Sequence, residues 1–79
     1  MLKFLSNLSD REFHIFRRIG SGQGTTAIAH ELGLSIKTIE THQSRIKEKL
    51  RLAGSVQLRN AAESWVVNLS RHHSLPLED

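Results

Sequence analysis

The stretch Leu34–Leu50, LSIKTIETHQSRIKEKL, decides the fold. Ser35 can cap a helix start, because its hydroxyl can accept a hydrogen bond from a backbone N–H group two or three residues on. Beyond it, apolar residues recur at intervals of three or four residues or their sums and form one stripe: Ile36, Ile39, Ile46 and Leu50. The sequence therefore predicts a helix over residues 36–50 with one side in a core.

The other faces of this predicted helix are polar and cationic. Residues 34–51 contain five basic and two acidic side chains, a surplus of +3 that equals the net charge of the whole chain. Cations attract phosphates, and short polar side chains can bond to base edges. These faces meet the requirements of a helix that lies in the major groove of double-stranded DNA.

Composition sets the broad class. A chain of 79 residues forms one small domain, and its pI near 10.0 suits a polyanionic partner. The absence of cysteine excludes disulfides and thiolate metal sites and fits a cytoplasmic location. No apolar run approaches the roughly 18 residues of a membrane span, so no membrane partner is expected. Proline occurs only at Pro76 and alternating β-branched residues are few, which favours an all-α fold.

The first predicted helix follows a lead-in over residues 1–7. Ser9 and Glu12 have the spacing of a capping box, and the helix should run to about Ile19. The glycine-rich segment 20–24 should end it. This segment lacks the Lys-Ser/Thr pair and the preceding strand of a phosphate-binding loop, so we interpret it as a turn.

The second predicted helix completes a helix-turn-helix. It should begin at Thr25 or Thr26 and end at Leu32, with Gly33 in the left-handed conformation that often ends helices. The helix over residues 36–50 follows as the recognition helix. Small Ala29 lies where the two helices should approach most closely.

The fourth predicted helix spans about residues 56–69, with Ser55 as its cap. It has more apolar surface than one stripe needs, so part of it could face a second copy of the chain. In the alternative, Trp65 and Leu69 fold over the N-terminal segment and complete one core. Residues 70–79 are predicted to be a disordered tail.

Taken in order, the motifs of the chain resemble the LuxR/FixJ-type helix-turn-helix domain. They are Leu8-Ser9-x-Arg11-Glu12, Gly22, Ile28-Ala29-x-x-Leu32, Ser35, Thr38-Ile39-x-x-His42, Ile46 and Lys49-Leu50. The resemblance covers residues 8 to about 66 within a domain predicted over residues 8–69, and its combined spacing is specific. It implies a fold of four helices with the third in the major groove. It also implies that the chain is part of a bacterial transcription regulator, often a two-component response regulator with a receiver domain in the full-length chain.

The resemblance also assigns roles to residues of this chain. The positions that face the bases are Lys37, Glu40, Thr41 and Ser44. The positions that contact phosphates are Thr25, Thr26, Thr38, His42, Arg45 and Lys49. The fourth helix would form a homodimer through Val56, Ala62, Trp65, Val66 and Leu69.

Four positions depart from the family pattern. One of them, Arg18, replaces an apolar residue and is expected to lie at the edge of the core. Glu40 replaces a common Lys; it could accept from a cytosine amino group or pair with Lys37 or Lys47 at the surface. Arg51 replaces a glycine and must either adopt the left-handed conformation or change the turn. Gly24 replaces a capping Ser, so Thr25 could take over the cap.

The same residues allow alternatives to these assignments. The related helix-turn-helix of sigma-factor region four shares several of these motifs, and a protein-interaction module that does not bind DNA is a second alternative. His42 could be a half-buried, hydrogen-bonded histidine instead of a DNA contact. No arrangement of Ser, His and acidic residues suggests catalysis, and the five histidines show no metal-ligand spacing. No enzyme activity, cofactor or metal is predicted.

Overall fold

The computed structural model describes residue 5 and residues 7–74, with side chains described up to residue 69. It contains four helices: α1 (Asp10–Gly20), α2 (Thr25–Leu32), α3 (Ile36–Leu50) and α4 (Ser55–Ser74). Residues 5 and 7–74 include no strand. The predicted all-α class and the four-helix helix-turn-helix arrangement are confirmed.

Two of the helix starts are capped as the sequence predicts. The Ser9 hydroxyl accepts from the Glu12 N–H at 3.1 Å, and the Glu12 carboxylate accepts from the Ser9 N–H at 3.0 Å. The Ser35 hydroxyl accepts from the Thr38 N–H at 3.1 Å at the start of α3. The predicted bounds of α2, Thr25 to Leu32, are confirmed, but the expectation that Thr25 caps this helix is wrong: Gly24 is the N-cap, and no side-chain hydrogen bond caps the helix.

The ends of α1, α2 and α3 share one geometry. A residue with positive φ follows each helix, and the next N–H returns to a carbonyl five residues back: Gln23 to Arg18, Leu34 to Ala29 and Leu52 to Lys47. Gly22 and Gly33 supply the positive φ after α1 and α2. Arg51 supplies it after α3 with φ 58°, so this position adopts the left-handed conformation instead of changing the turn.

The core lies where α1 packs against α3 and α4, and α2 packs against α3. Its fully buried large side chains are Ile15, Phe16, Ile28, Ile39 and Ile46. Ile36, predicted to be in the apolar stripe of α3, is instead 45% exposed. At about 100° per residue it lies 40–80° away from the other three stripe residues, so it sits at the edge of the buried face.

The fourth helix completes this core with one face. Ala62 is fully buried, and Trp65 packs edge-on against Phe13 at 5.3 Å between ring centroids and against Phe16 at 6.3 Å. The contact of Trp65 with the core is therefore the alternative that the structure supports. A dimer role for Ala62 is wrong, because a fully buried side chain has no surface to offer a partner.

The ends of the domain differ from the sequence prediction. α4 continues to Ser74, so residues 70–74 are helical and are not part of a disordered tail. Leu5 belongs to the predicted lead-in but is buried in the core. The remainder of the predicted lead-in and tail, residues 1–4, 6 and 75–79, lies outside the described residues. Within the described ranges, no helix has the length and apolar content needed to cross a membrane.

Candidate nucleic-acid interface

The face of α3 opposite the core is polar and open to solvent. Ser35 starts the helix, and Ile39 and Ile46 fix its rotation by inserting into the core. The four side chains predicted to face the bases are therefore brought together on one exposed surface: Lys37, Glu40, Thr41 and Ser44. The Thr41 hydroxyl donates to the Lys37 carbonyl at 3.1 Å, so its oxygen remains available as an acceptor.

Glu40 is exposed on this surface. Neither Lys37 nor Lys47 lies within 4.0 Å of its carboxylate, since the ion pairs of the described side chains involve other residues. The alternative of a surface ion pair at Glu40 is therefore wrong. Its carboxylate can accept a hydrogen bond from a group outside the chain.

One flank of α3 contains four of the predicted phosphate contacts, spaced by three or four residues: Thr38, His42, Arg45 and Lys49. Arg45 is exposed and forms no ion pair with a described residue. The Thr38 hydroxyl lies 2.9 Å from the Ser35 hydroxyl at the helix start. His42 is half-buried, as the alternative prediction had it, but its buried Nδ1 has no hydrogen-bond partner.

Lys49 also lies on this flank, but its ammonium is bonded to another residue of the chain. Its ammonium donates to Glu12 Oε1 at 2.7 Å. Glu12 is 3% exposed, so this carboxylate is almost completely removed from water. Burial acts to raise the pKa of Glu12, but the hydrogen bond from Lys49, the Ser9 N–H and the Lys49 charge together hold that pKa below its ordinary value.

The opposite flank of α3 meets the start of α2. Gln43 Nε2 donates weakly to the Thr25 hydroxyl at 3.4 Å, and Thr26 is exposed beside it. Because no side chain caps α2, its first backbone N–H groups point out of the helix without partners from a cap. Such a helix start attracts anions. Thr25 and Thr26, the two predicted phosphate contacts in α2, therefore lie beside backbone N–H groups that can bind an anion.

Sequence reasoning missed two polar residues at this flank. A shallow pocket brings Thr25 together with Gln43 of α3 and with Ser55 and Arg59 of α4. Gln43 could have been found from its helical position, since it lies on the side of α3 away from Arg45. Arg59 could not, because its place depends on how α4 docks against the rest of the domain.

Two valines remain outside the core on α4. Val56 is 69% exposed and Val67 is 54% exposed. Three residues predicted for a dimer face are instead half-buried within the chain: Trp65, Val66 and Leu69. Val66 lies against Gly20, close enough that a Cβ on Gly20 would be 2.6 Å from Val66 Cγ2. Val56 is thus the most exposed member of the predicted dimer set, and Val67 is an addition to it.

The described residues include no cluster of three or more His, Cys, Asp and Glu side chains able to hold a metal ion.

A capped α3 with a polar outer face, preceded by α2 across a tight turn, defines a helix-turn-helix domain of the nucleic-acid-binding class.

Comparison with known proteins gives the family. Residues 6–62 match the family described as bacterial regulatory proteins, luxR family. The chain belongs to this family, and the expected resemblance is confirmed over the alternative of sigma-factor region four. The family's helix-turn-helix is a DNA-binding domain of transcription regulators.

Three relatives illustrate the similarity. The transcriptional regulatory protein TdiR of Thauera aromatica is 40% identical over 57 residues, which are 72% of this chain and 25% of that protein. The transcriptional regulatory protein UhpA of Escherichia coli K12 is 36% identical over 59 residues, 73% of this chain and 30% of that protein. The response regulator UvrY of the same strain is 37% identical over 57 residues, 72% of this chain and 26% of that protein.

The chain thus spans between 25% and 30% of the length of these relatives. No solved structure is significantly similar to it.

Proposed function

We propose that this domain binds double-stranded DNA sequence-specifically, with α3 in the major groove, and regulates transcription in a bacterium. The observation that carries the proposal is the two-sided character of α3. Ile39 and Ile46 are fully buried on one side, and the exposed polar surface of Lys37, Glu40 and Ser44 lies on the other. A helix held this way can enter the groove without disturbing the core.

Phosphates on the two sides of the groove would be held by the two flanks of α3. On one flank, Arg45 supplies an exposed guanidinium that forms no ion pair with a described residue. Thr25 and Thr26 supply hydroxyls and free helix N–H groups on the other. Arg and helix N-termini are among the groups that bind DNA phosphates, and these contacts set orientation without reading sequence.

Glu40 would determine which base pair α3 prefers at one position of the DNA site. An ionised carboxylate only accepts hydrogen bonds, and the cytosine amino group is the donor that suits it in the major groove. Lys37 can donate to guanine acceptors on the same surface. A site with a C·G pair under Glu40 is therefore expected.

Dimerisation would use the face of α4 that contains Val56 and Val67. These residues are eleven positions apart, about three helical turns, and therefore lie on the same face. Two such faces brought together would bury four exposed valines around a two-fold axis. Two half-sites about 10 bp apart on the DNA would follow from this symmetry. Val67→Lys should leave the fold intact and separate the dimer, and sedimentation with and without DNA measures this.

The test of the function is a selection from random duplex DNA at two salt concentrations. A recovered motif with two spaced half-sites supports specific reading and dimeric binding together. Arg45→Ala should weaken binding to all sequences and reduce the slope of log affinity against log salt by about 1. An unchanged slope would remove Arg45 from the phosphate contacts, and no binding at low salt would reject the proposal.

We propose further that the full-length protein is a cytoplasmic response regulator. The relative named response regulator UvrY supports this, and a receiver domain would then control the dimer face of α4. A phosphorylation-dependent change in the oligomeric state of the full-length protein is the corresponding measurement.

One observation favours a second function, a protein-interaction module. Glu40 places a negative charge on the surface that would approach DNA. A partner protein could use that charge, whereas phosphates repel it. Duplex binding that is lost in Lys37→Ala or Arg45→Ala would exclude this second function.

A further inference from the structure

The last turn of α3 and the first turn of α1 are joined by one buried polar contact. Glu12 Oε1 accepts from the Ser9 N–H at 3.0 Å and from Lys49 Nζ at 2.7 Å. The Glu12 side chain is 4% exposed, whereas the Lys49 side chain is 38% exposed along its length. The capping box of α1 and the recognition helix thus share one carboxylate oxygen.

We propose that Lys49 is a positioning residue that fixes the recognition helix on α1 through Glu12, and is not a phosphate contact. The inference rests on the proposed function and concerns how the same surface is held. It reassigns a residue that the family resemblance placed among the phosphate contacts.

The geometry disfavours a phosphate role for Lys49. If its ammonium turned towards DNA, the buried Glu12 carboxylate would lose its cationic partner and keep only neutral hydrogen-bond partners on Ser9 among the described residues. An uncompensated buried charge costs more than an exposed ion pair contributes. Arg45, one turn earlier on the same flank, pairs with no acidic side chain of the described residues and can bind a phosphate without this loss.

The contact is placed where it can control base reading. Ser44 lies five residues before Lys49, about 7.5 Å along the helix axis. Ile46 and Leu50 hold this part of α3 by apolar contacts, which have little directional preference. The bond to Glu12 adds direction, so it limits how far the C-terminal half of the helix can tilt. Hydrogen bonds to base edges weaken steeply with misalignment.

The experiment compares Glu12→Gln, Lys49→Gln and Arg45→Gln. Each is titrated with the duplex recovered by selection and with random duplex, over a salt series and at a temperature where circular dichroism shows a folded protein. We expect Glu12→Gln and Lys49→Gln to lower the ratio of specific to random affinity by about tenfold, the loss of one good base contact. Both should keep the salt slope of the original chain. Arg45→Gln should instead reduce that slope by about 1 and keep the ratio.

Glu12→Gln separates the two roles most sharply, because the buried residue 12 cannot touch DNA. If Lys49 bound phosphate, removing its internal partner would leave affinity unchanged or raise it. A lowered slope for Lys49→Gln, with no effect of Glu12→Gln, would overturn the proposal. Reduced melting temperatures with an unchanged ratio in both variants would also overturn it, since Lys49 would then only stabilise the fold.

A measurement on the unsubstituted protein covers the case in which a variant does not fold. The side-chain ammonium NMR signal of Lys49 should stay in place when DNA is added, while the Arg45 guanidinium signal shifts. A Lys49 shift as large as that of Arg45 would overturn the proposal. Absence of any DNA binding by the unsubstituted protein would instead count against the proposed function.

Discussion

Replacing Gly20 by alanine should destabilise this domain, although helix propensity alone predicts the opposite. Gly20 is the last residue of α1 and lies against α4. A Cβ there would be 2.7 Å from the Ala62 carbonyl carbon and 2.6 Å from Val66 Cγ2, and it would also overlap the Ala62 carbonyl oxygen. Ordinary contacts begin at 3.4 Å, so α4 would have to move.

The size of the effect follows from two opposing terms. Overpacking of this kind costs about 1–3 kcal/mol, and the obstacle at Ala62 is backbone, which cannot rotate away. Alanine in a helix gains about 0.5–1 kcal/mol over glycine. Because the overlap reaches backbone atoms, the upper part of the packing range applies, about 2–3 kcal/mol, and the net loss should be about 1–2.5 kcal/mol. In a domain of this size that lowers the melting temperature by about 4–20 °C.

Thermal and urea unfolding followed by circular dichroism measure this loss. Gly24→Ala is the matched control, since a Cβ there meets nothing within 4 Å. Alanine is a weaker N-cap than glycine, but it also makes the unfolded chain less flexible, and these two effects oppose each other. The melting temperature of Gly24→Ala should therefore move only slightly. Adding Val66→Ala to Gly20→Ala should recover part of the loss by removing the Cγ2 overlap. A Gly20→Ala variant that melts higher than the original chain would refute the packing argument.

Three other predictions concern Arg51, Arg59 and Glu12. Arg51→Gly should raise the free energy of unfolding by about 0.5–1 kcal/mol, because Arg51 holds φ 58° and glycine adopts this conformation without penalty. Urea unfolding measures this change, and a loss of stability would contradict the prediction. Arg59→Gln should lower the salt slope of DNA binding by about 1 if the pocket beside Thr25 holds a phosphate, whereas Arg17→Gln on α1 should not. The Glu12 carboxylate has a pKa below its ordinary value of 4.5, so its stabilisation is present above pH 4.5 and is lost as the pH falls through the lowered pKa. Glu12→Gln should show a smaller loss of unfolding free energy over that acid range, and equal losses in both proteins would contradict the assignment.

The sequence predicted the helix boundaries well wherever the signal is local. A capping box needs only Ser9 and Glu12 three residues apart, and Ser35 caps α3 through the N–H of Thr38. The positive φ of Gly33 was also predictable, because a left-handed residue after a helix is a property of a few neighbouring residues. The helix-turn-helix follows from these local signals.

What the sequence did not reveal depends on contacts between distant residues. Glu12 and Lys49 are 37 positions apart, and nothing in either segment indicates that they share a bond. The glycine-rich turn shows the same limit. Its composition predicted a chain reversal, but the structure shows that Gly20 is required for close approach to α4 and Gly22 for its positive φ. Only the packed fold shows that these two glycines are needed for different reasons.

The apolar surplus of α4 resolves into two faces. At about 100° per residue, Leu58, Ala62 and Trp65 lie within about 60° of one another, and this face packs into the core. Val56 and Val67 lie about 20° apart on the opposite side of the helix. The two sequence-based alternatives, a completed core and a dimer face, are therefore compatible, because different residues would serve each.

This separation of faces also bears on regulation through α4. A partner on the Val56–Val67 face would touch α4 on the side away from Ala62, so it would not need to disturb the contact of Gly20 with α4. Association could then change without unfolding the helix-turn-helix. The recognition helix is held independently, by Ile39 and Ile46 in the core and by Lys49 on Glu12. Dimerisation should therefore alter affinity through the pairing of two sites and leave the base preference of each site unchanged.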